Sequence, residues 1–285
     1  MFSAPTTKQY GSHMVMTNVQ KEHKTKYINI NTKFRDEFNY KLTSDYHLTL
    51  SERFTDVRNI TAVSAEIPHT FYNISENLQN NAIGFPSGKV LVVSDGQYNQ
   101  ASLIAELNKQ ATALSLGATF DISYNRTTIT TSGTTIITLD VDASGNFAKY
   151  NFKNRLGWLL GFRDLTYTFS GKLTSEFLVD LSGPRYLYLV VDEYTGGNQK
   201  SFVSPLPTSV INKNILARIA MDNKNYGFME IIPANERNGL LVSDTRSYTG
   251  KVDLHRLNVQ LINEDGTIMN LNGADFSFCL RIEHE

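Results

Sequence analysis

The segment Arg256-Leu257-Asn258-Val259-Gln260-Leu261 alternates polar and apolar residues without interruption. Successive side chains of an extended chain point to opposite faces, so Leu257, Val259 and Leu261 share one face of a predicted strand. Arg256, Asn258 and Gln260 lie on the other face.

A second alternating stretch closes the sequence at residues 276–283, after an Asn272-Gly273 turn. Its apolar members are Phe276, Phe278, Leu280 and Ile282. Two strands of this kind cannot bury their apolar faces alone. The sequence therefore predicts two apposed antiparallel sheets, with the apolar residues of both strands buried between them.

The composition favours a globular protein over a disordered one. Among 285 residues, 41% are hydrophobic and 19% are charged, which is enough apolar material for a sizeable core. The chain has 27 basic and 28 acidic residues, so no overall field attracts nucleic acid or an anionic membrane. Apolar runs are too short for a membrane-spanning helix, and no secretory signal is recognisable. The single cysteine, Cys279, is predicted to be a structural thiol.

Two regions are predicted along the chain. Residues 1–26 are polar, lack periodicity and end in a basic run, so they are predicted to form an N-terminal arm that is flexible or contacts a subunit. Within them, Gly11-Ser12-His13-Met14 resembles the scar of a cleaved tag. Residues 27–285 show no repeat and no linker. They are predicted to form a single β-sandwich domain with decorated loops.

Besides the two closing strands, about a dozen short strands are predicted. They lie at 27–31, 46–50, 57–67, 89–93, 119–124, 127–131, 134–141, 177–179, 185–191, 215–219, 228–232 and 240–242. One amphipathic helix is predicted from Asn99 to Leu116, with Asn99 as N-cap and Gly117 after its end. Ser132-Gly133 is predicted to be a hairpin turn. Trp158 and Phe162 belong to an apolar stretch that is predicted to cap the core.

A search for catalytic or ligand-binding motifs finds none. The six histidines form no metal-binding pair, and the sequence lacks nucleophile-elbow and phosphate-binding motifs. Asp244, Asp253 and Asp275 could act as paired glycosidase carboxylates, although any large β domain offers such candidates. The terminal Glu283-His284-Glu285 is expected to be a solvated end. We predict that the protein is not an enzyme and uses no cofactor or metal. The basic run at 21–26 lacks interleaved aromatic residues, so no specific nucleic acid is expected either.

Three segments carry a resemblance to a known family. Tyr27 to Asp36 resembles the segment that opens minor capsid and penton proteins of large nucleocytoplasmic DNA viruses, the giant viruses. Leu156 to Arg163 looks like the Leu-Gly-Phe element in their middle. Arg256 to Leu261, with Asp265-Gly266 and Asp275 to Phe278, is similar to their closing strands. The ordered set spans residues 27 to 283.

The resemblance implies an antiparallel jelly-roll protein that contributes to an icosahedral shell, as a penton at the vertices or as another minor capsid protein. It implies other capsid proteins as partners, the major capsid protein among them, and a homo-oligomer, which would be a pentamer for a penton. The implied location is the virion, with assembly in the host cytoplasm. The chain is too short for the double jelly roll of a major capsid protein.

The predicted subunit contacts are basic residues near the start of the chain: Lys21, Lys24, Lys26 and Arg35. An alternative class remains open, a carbohydrate-binding jelly-roll module for host attachment, in which exposed tyrosines stack on sugars. An enzyme of the glycosidase type is a third possibility. The oligomeric state of the pure protein distinguishes these classes, since a pentamer points to a capsid vertex.

Overall fold

The structure is a computed structural model that describes residues 24–35, 42–147, 149–194, 202–206, 210–211 and 214–284. Its strands are β1 (Lys24–Asn31), β2 (Asp45–Pro68), β3 (Ala82–Phe85), β4 (Lys89–Val92), β5 (Ala118–Ser123), β6 (Arg126–Thr138), β7 (Thr166–Thr174), β8 (Tyr186–Asp192), β9 (Ser204–Pro205), β10 (Val210–Ile211), β11 (Ile215–Ala220), β12 (Ile231–Asn235), β13 (Leu241–Ser243), β14 (Arg246–Asn263) and β15 (Ser277–His284). The helices are α1 (Gln100–Ala113) and α2 (Leu156–Leu159), and 3-10 turns lie at Thr32–Phe34, Pro86–Gly88 and Lys149–Asn154.

The larger sheet has eight antiparallel strands in the order β1-β15-β2-β14-β8-β11-β13, with β12 also paired to β2. It curls around its own apolar face, because strands from both ends of this order contribute to one core. The six residues of the closing strands on which the prediction depends are at most 1% exposed: Leu257, Val259, Leu261, Phe276, Phe278 and Leu280. The predicted antiparallel β class and this burial are confirmed. The apolar faces of the closing strands are covered by distant strands of the same curled sheet and not by a separate second sheet.

The curvature has a visible cause in β2. Val57 faces Val252 and Phe54 faces Leu254, so three steps along β2 lie opposite two steps along β14. Asp56 lies in this bulge and has a left-handed backbone, with φ of 53°. An extra residue of this kind bends a strand and increases its twist. The two strands predicted at 46–50 and 57–67 are therefore one long, bulged strand.

A second core lies in the smaller sheet, β4-β3-β6-β5 with β7 paired to β6, together with α1 and α2. The predicted helix α1 is confirmed. Asn99 Oδ1 accepts from the Ser102 N–H at 2.9 Å and Ser102 Oγ accepts from the Asn99 N–H at 3.0 Å, which closes a reciprocal cap. Leu103, Leu107 and Ala111 bury one face of the helix.

Two local predictions in this region are wrong. Ser132-Gly133 is not a hairpin turn, because β6 continues through it and only shifts register against β7 between Thr130 and Thr134. Residues 177–179 form no ladder, since the Phe177 N–H donates to the Gly161 carbonyl and the Val179 N–H to the Asn125 carbonyl. Strand β7, which was not among the predicted strands, alternates half-buried and exposed residues throughout.

The predicted apolar cap forms around α2. Phe162 is fully buried, whereas Trp158 is only half-buried. The Arg163 guanidinium lies 3.8 Å from the centre of the Trp158 ring and also 4.5 Å from the centre of the Phe177 ring. The cap thus ends in a partly exposed cluster in which one guanidinium lies against two aromatic rings, a favourable arrangement.

The apolar interior is divided into the two main cores and a smaller cluster on the outer face of β8 and β14. The prediction of one domain over residues 27–285 stays a prediction. Of the predicted arm, residues 1–23 lie outside the described residues, and 24–26 belong to β1. In the part of the chain that the structure describes, no helix is long and apolar enough to cross a membrane.

Candidate functional site

Strand β1 lies at one edge of the eight-stranded sheet. Among the described residues it pairs with β15 alone, over all eight of its positions from Lys24 with His284 to Asn31 with Ser277. Within the part of the chain that the structure describes, its other side therefore presents a row of backbone N–H and C=O groups with no strand beside them. Such an edge is a template for pairing with another chain.

Large apolar side chains project beside this edge. Tyr27 on β1 is 63% exposed, and Phe34 in the following 3-10 turn is 78% exposed. Ile30 on the opposite face of β1 is buried in the core, so the strand is well anchored. We call the open edge of β1 together with Tyr27 and Phe34 the β1 surface.

Three of the four basic residues predicted to contact a subunit lie on β1 or just after the turn that follows it, but they differ in their contacts. Lys26 Nζ donates to both carboxylate oxygens of Glu52 at 2.8 Å. Arg35 Nη1 donates to Asp275 Oδ1 at 2.5 Å and to the Thr32 carbonyl at 2.8 Å. These two cations thus have acidic partners within the chain. Lys24 is exposed on β1, and Lys21 lies outside the described residues.

Asp275 fixes the end of β1 to the closing strand. It also accepts from Thr32 Oγ1 at 2.8 Å, while the same hydroxyl oxygen accepts from the Phe276 N–H at 2.9 Å. The Thr32 N–H donates to the Phe276 carbonyl at 3.0 Å. The turn that carries Phe34 is therefore held in place, which keeps the β1 surface pre-organised.

The other acidic residues singled out in the sequence are dispersed. Asp253 pairs with Arg53 at 2.6 Å, and Asp244 accepts from the adjacent Thr245 N–H. Glu283 accepts from the Asn59 side chain at 2.6 Å. Among the described residues, no group of three or more His, Cys, Asp or Glu side chains could hold a metal ion.

The predicted structural thiol and the chain end lie on β15. Cys279 is half-buried, and burial, with a smaller effect of Glu66, raises the pKa of its thiol. A raised pKa keeps the thiol protonated and unreactive. His284 packs edge-on against Phe54, with 5.8 Å between the ring centres, so this part of the predicted solvated end packs on the sheet.

A concave surface that the sequence analysis missed lies where β2 and β14 bulge apart. It encloses about 770 Å³ and is lined by His47, Leu48, Thr49, Arg53, Glu193, Tyr194, Asp253, His255, Arg256 and Leu257. We call it the β2–β14 groove. Its residues come from segments up to about 200 positions apart, so no local sequence signal could have assembled them.

One wall of the groove is anchored by a buried ion pair. Arg246 Nη1 donates to Glu193 Oε2 at 2.5 Å, and both side chains are at most 4% exposed. Tyr248 Oη donates to Glu193 Oε1 at 2.6 Å. Burial raises the pKa of Tyr248, and the neighbouring Glu193 carboxylate raises it further. The phenol is therefore a hydrogen-bond donor to the carboxylate at any physiological pH.

These features define a class: an antiparallel β protein with a curled sheet, an open edge strand and a preformed surface groove. The chain belongs to a family of unknown function, DUF5901, whose model matches residues 14–234. The match ends within β12, so the closing strands β14 and β15 lie beyond it. No curated protein matches the sequence.

Two solved structures are similar in outline. The mavirus penton protein has a TM-score of 0.44 and 9% sequence identity, with 93% of this chain and 100% of that chain covered. A chain of the Sputnik virophage, from a 3.5 Å cryo-EM structure, also has a TM-score of 0.44, with 13% identity and 91% and 98% of the two chains covered.

Proposed function

We propose that the protein is a non-enzymatic component of a viral capsid, as a penton or another minor capsid protein, and that the β1 surface contacts a neighbouring subunit. The resemblance of three ordered sequence segments to such proteins supports the class. The single observation that carries the contact is the eight-residue edge of β1, which is open among the described residues, with Tyr27 and Phe34 exposed beside it.

An edge of this length is a liability for a protein that stays alone in solution. Natural sheets protect their edges with short strands, prolines, bulges or covering loops. In β1 the ladder runs without a register shift over all eight residues, and the strand contains no proline. Exposed aromatic side chains beside such an edge are typical of interfaces, where they supply most of the binding energy. A second chain would cover both features at once.

The basic residues take different parts in this proposal. Lys26 and Arg35 hold the edge in place through Glu52 and Asp275, so their first role is to shape the surface. Lys24, which is exposed, is the cation left to pair with an acidic group of a neighbour. The segment before it, including Lys21, keeps its predicted role as a contacting arm; deletions that test this role must stop at residue 23 to spare β1.

We expect the double variant Tyr27→Glu/Phe34→Glu to fold as the parent does but to lose assembly. Both side chains are largely exposed, so the free energy of unfolding should change by about 0.5 kcal/mol or less per site. Two charges placed in a subunit contact should lower association at least about tenfold. Mass photometry of the pure protein, together with incorporation into shells during co-expression with capsid proteins, measures this.

The matched control is Tyr124→Glu, because Tyr124 is 96% exposed in the turn between β5 and β6, away from β1. Assembly of the control should equal that of the parent. If the double variant assembled as well as the control does, the β1 surface would not be the contact. A pentamer for the parent would favour a penton, and a monomer would favour another minor capsid protein.

A further inference from the structure

The β2–β14 groove has the dimensions of a ligand site. Its volume of about 770 Å³ lies within the range of pockets that bind small molecules. The side chains of Leu48 and Thr49 contribute apolar surface to its lining, and charged and aromatic groups surround them. A mostly apolar wall with a few polar groups is the usual composition of a binding pocket.

The charge of the groove favours an acidic ligand. Its two carboxylates are already neutralised, Asp253 by Arg53 at 2.6 Å and Glu193 by the buried Arg246. Arg256 lines the same groove, is exposed, and has no carboxylate partner among the described residues. The groove therefore keeps a cation whose planar guanidinium can donate two parallel hydrogen bonds to a carboxylate or a sulfate.

An aromatic ring lines the same groove in a fixed position. Tyr194 is 57% exposed, yet its phenol oxygen lies 2.9 Å from His47 Nδ1 and its N–H donates to Asp192 Oδ1 at 3.0 Å. The preceding residue, Glu193, is fixed by the ion pair with Arg246. An exposed ring that is held in place loses little conformational freedom on binding, which favours affinity.

We propose that the β2–β14 groove binds an acidic sugar, a saccharide that carries a carboxylate or a sulfate group. The ring of Tyr194 would stack on the apolar face of the sugar, and Arg256 would bind the acidic group. An acidic polypeptide offers the charge but no flat, rigid face for the fixed ring, so the combination of the two residues favours the sugar. The proposal does not depend on a capsid role, because the groove lies between β2 and β14 and not at the edge of β1.

Isothermal titration of the full chain tests this with four probes: 3′-sialyllactose, a sulfated heparin disaccharide, lactose and a short poly-glutamate peptide. We expect at least one acidic sugar to bind at least about tenfold more tightly than lactose, because its acidic group adds charge-assisted hydrogen bonds with Arg256. The first two probes distinguish a carboxylate ligand from a sulfate ligand.

The variants locate the binding. Arg256→Gln should weaken the acidic sugar about tenfold or more and leave lactose unchanged. Tyr194→Ala should weaken both sugars, whereas Tyr194→Phe, which keeps the ring but loses the contact with His47, should weaken them less. Arg237→Gln, an exposed arginine in the turn between β12 and β13, is the control and should change nothing. Circular dichroism verifies that each variant is folded.

Three results would overturn the proposal. The first is that neither acidic sugar binds more tightly than lactose. The second is that Arg256→Gln binds the acidic sugars as tightly as the parent does. The third is that poly-glutamate binds as tightly as the acidic sugars and that this binding is lost in Arg256→Gln but not in the Tyr194 variants, which would assign the groove to an acidic polypeptide.

Discussion

The Arg246→Met variant is expected to lose about 3–5 kcal/mol of its free energy of unfolding, because the substitution leaves the buried Glu193 carboxylate without its cation. The substitution also removes hydrogen bonds other than the ion pair. Arg246 also donates to the carbonyl oxygens of Val191 at 2.8 Å and Asn214 at 3.0 Å. Each carbonyl group that loses a hydrogen bond in this buried region adds to the destabilisation. Urea denaturation followed by circular dichroism measures the difference.

Two comparison variants separate this effect from a general loss of charge. Arg53→Met removes a cation from an exposed pair with Asp253 and should cost about 0–1 kcal/mol. The double variant Glu193→Leu/Arg246→Met removes both buried charges and should recover part of the loss seen in Arg246→Met. An Arg246→Met protein as stable as the Arg53→Met protein would show that the buried pair contributes little.

A Gly161→Ala variant should be destabilised by about 2–5 kcal/mol, through backbone strain together with overpacking. Gly161 has a φ of 93°, and a Cβ there would lie 2.2 Å from the Phe177 carbonyl oxygen. The backbone would have to move, and the hydrogen bond from the Phe177 N–H to the Gly161 carbonyl at 3.0 Å would be lost or strained. Equilibrium unfolding in guanidinium chloride measures the change.

Gly171→Ala is the matched control for this substitution. Gly171 has a similar φ of 79°, but nothing lies within 4 Å of the Cβ position. Gly171→Ala should lower the free energy of unfolding only through the strain of a left-handed backbone, by about 1–2 kcal/mol. Equal losses at the two positions would mean that the close approach of Phe177 to Gly161 relaxes at no cost.

Local sequence patterns predicted the elements whose environment is set by near neighbours. The alternation at Leu257, Val259 and Leu261 correctly predicted a buried strand face, and the cap at Asn99 marked the start of α1. The turn predicted at Ser132-Gly133 failed because pairing with β7 carries β6 through a sequence that would turn on its own.

The candidate sites depend on long-range pairing, which is why the sequence did not reveal them. The β2–β14 groove lies beside a second irregularity, in which five steps along β2 from Phe54 to Thr49 face two steps along β14 from Leu254 to Arg256. The ion pair in its wall joins residues 53 positions apart. The β1 surface was only partly foreseen. Its basic residues were singled out, but that Lys26 and Arg35 have acidic partners in the chain depends on Glu52 and Asp275, which folding brings to them.

The pairing of β1 with β15 also determines when the protein can become complete during synthesis. Residues 24–31 can pair with β15 only after residues 277–284 have been synthesised. Closing so long a loop is slow. The smaller sheet uses only residues 82–174, so it can form while the ribosome is still translating β14. The nascent chain would then contain a folded smaller sheet, while the strands of the larger sheet would remain unpaired and prone to aggregation. Proteolysis of chains arrested before residue 240 should therefore spare the smaller sheet and cut the strands of the larger sheet.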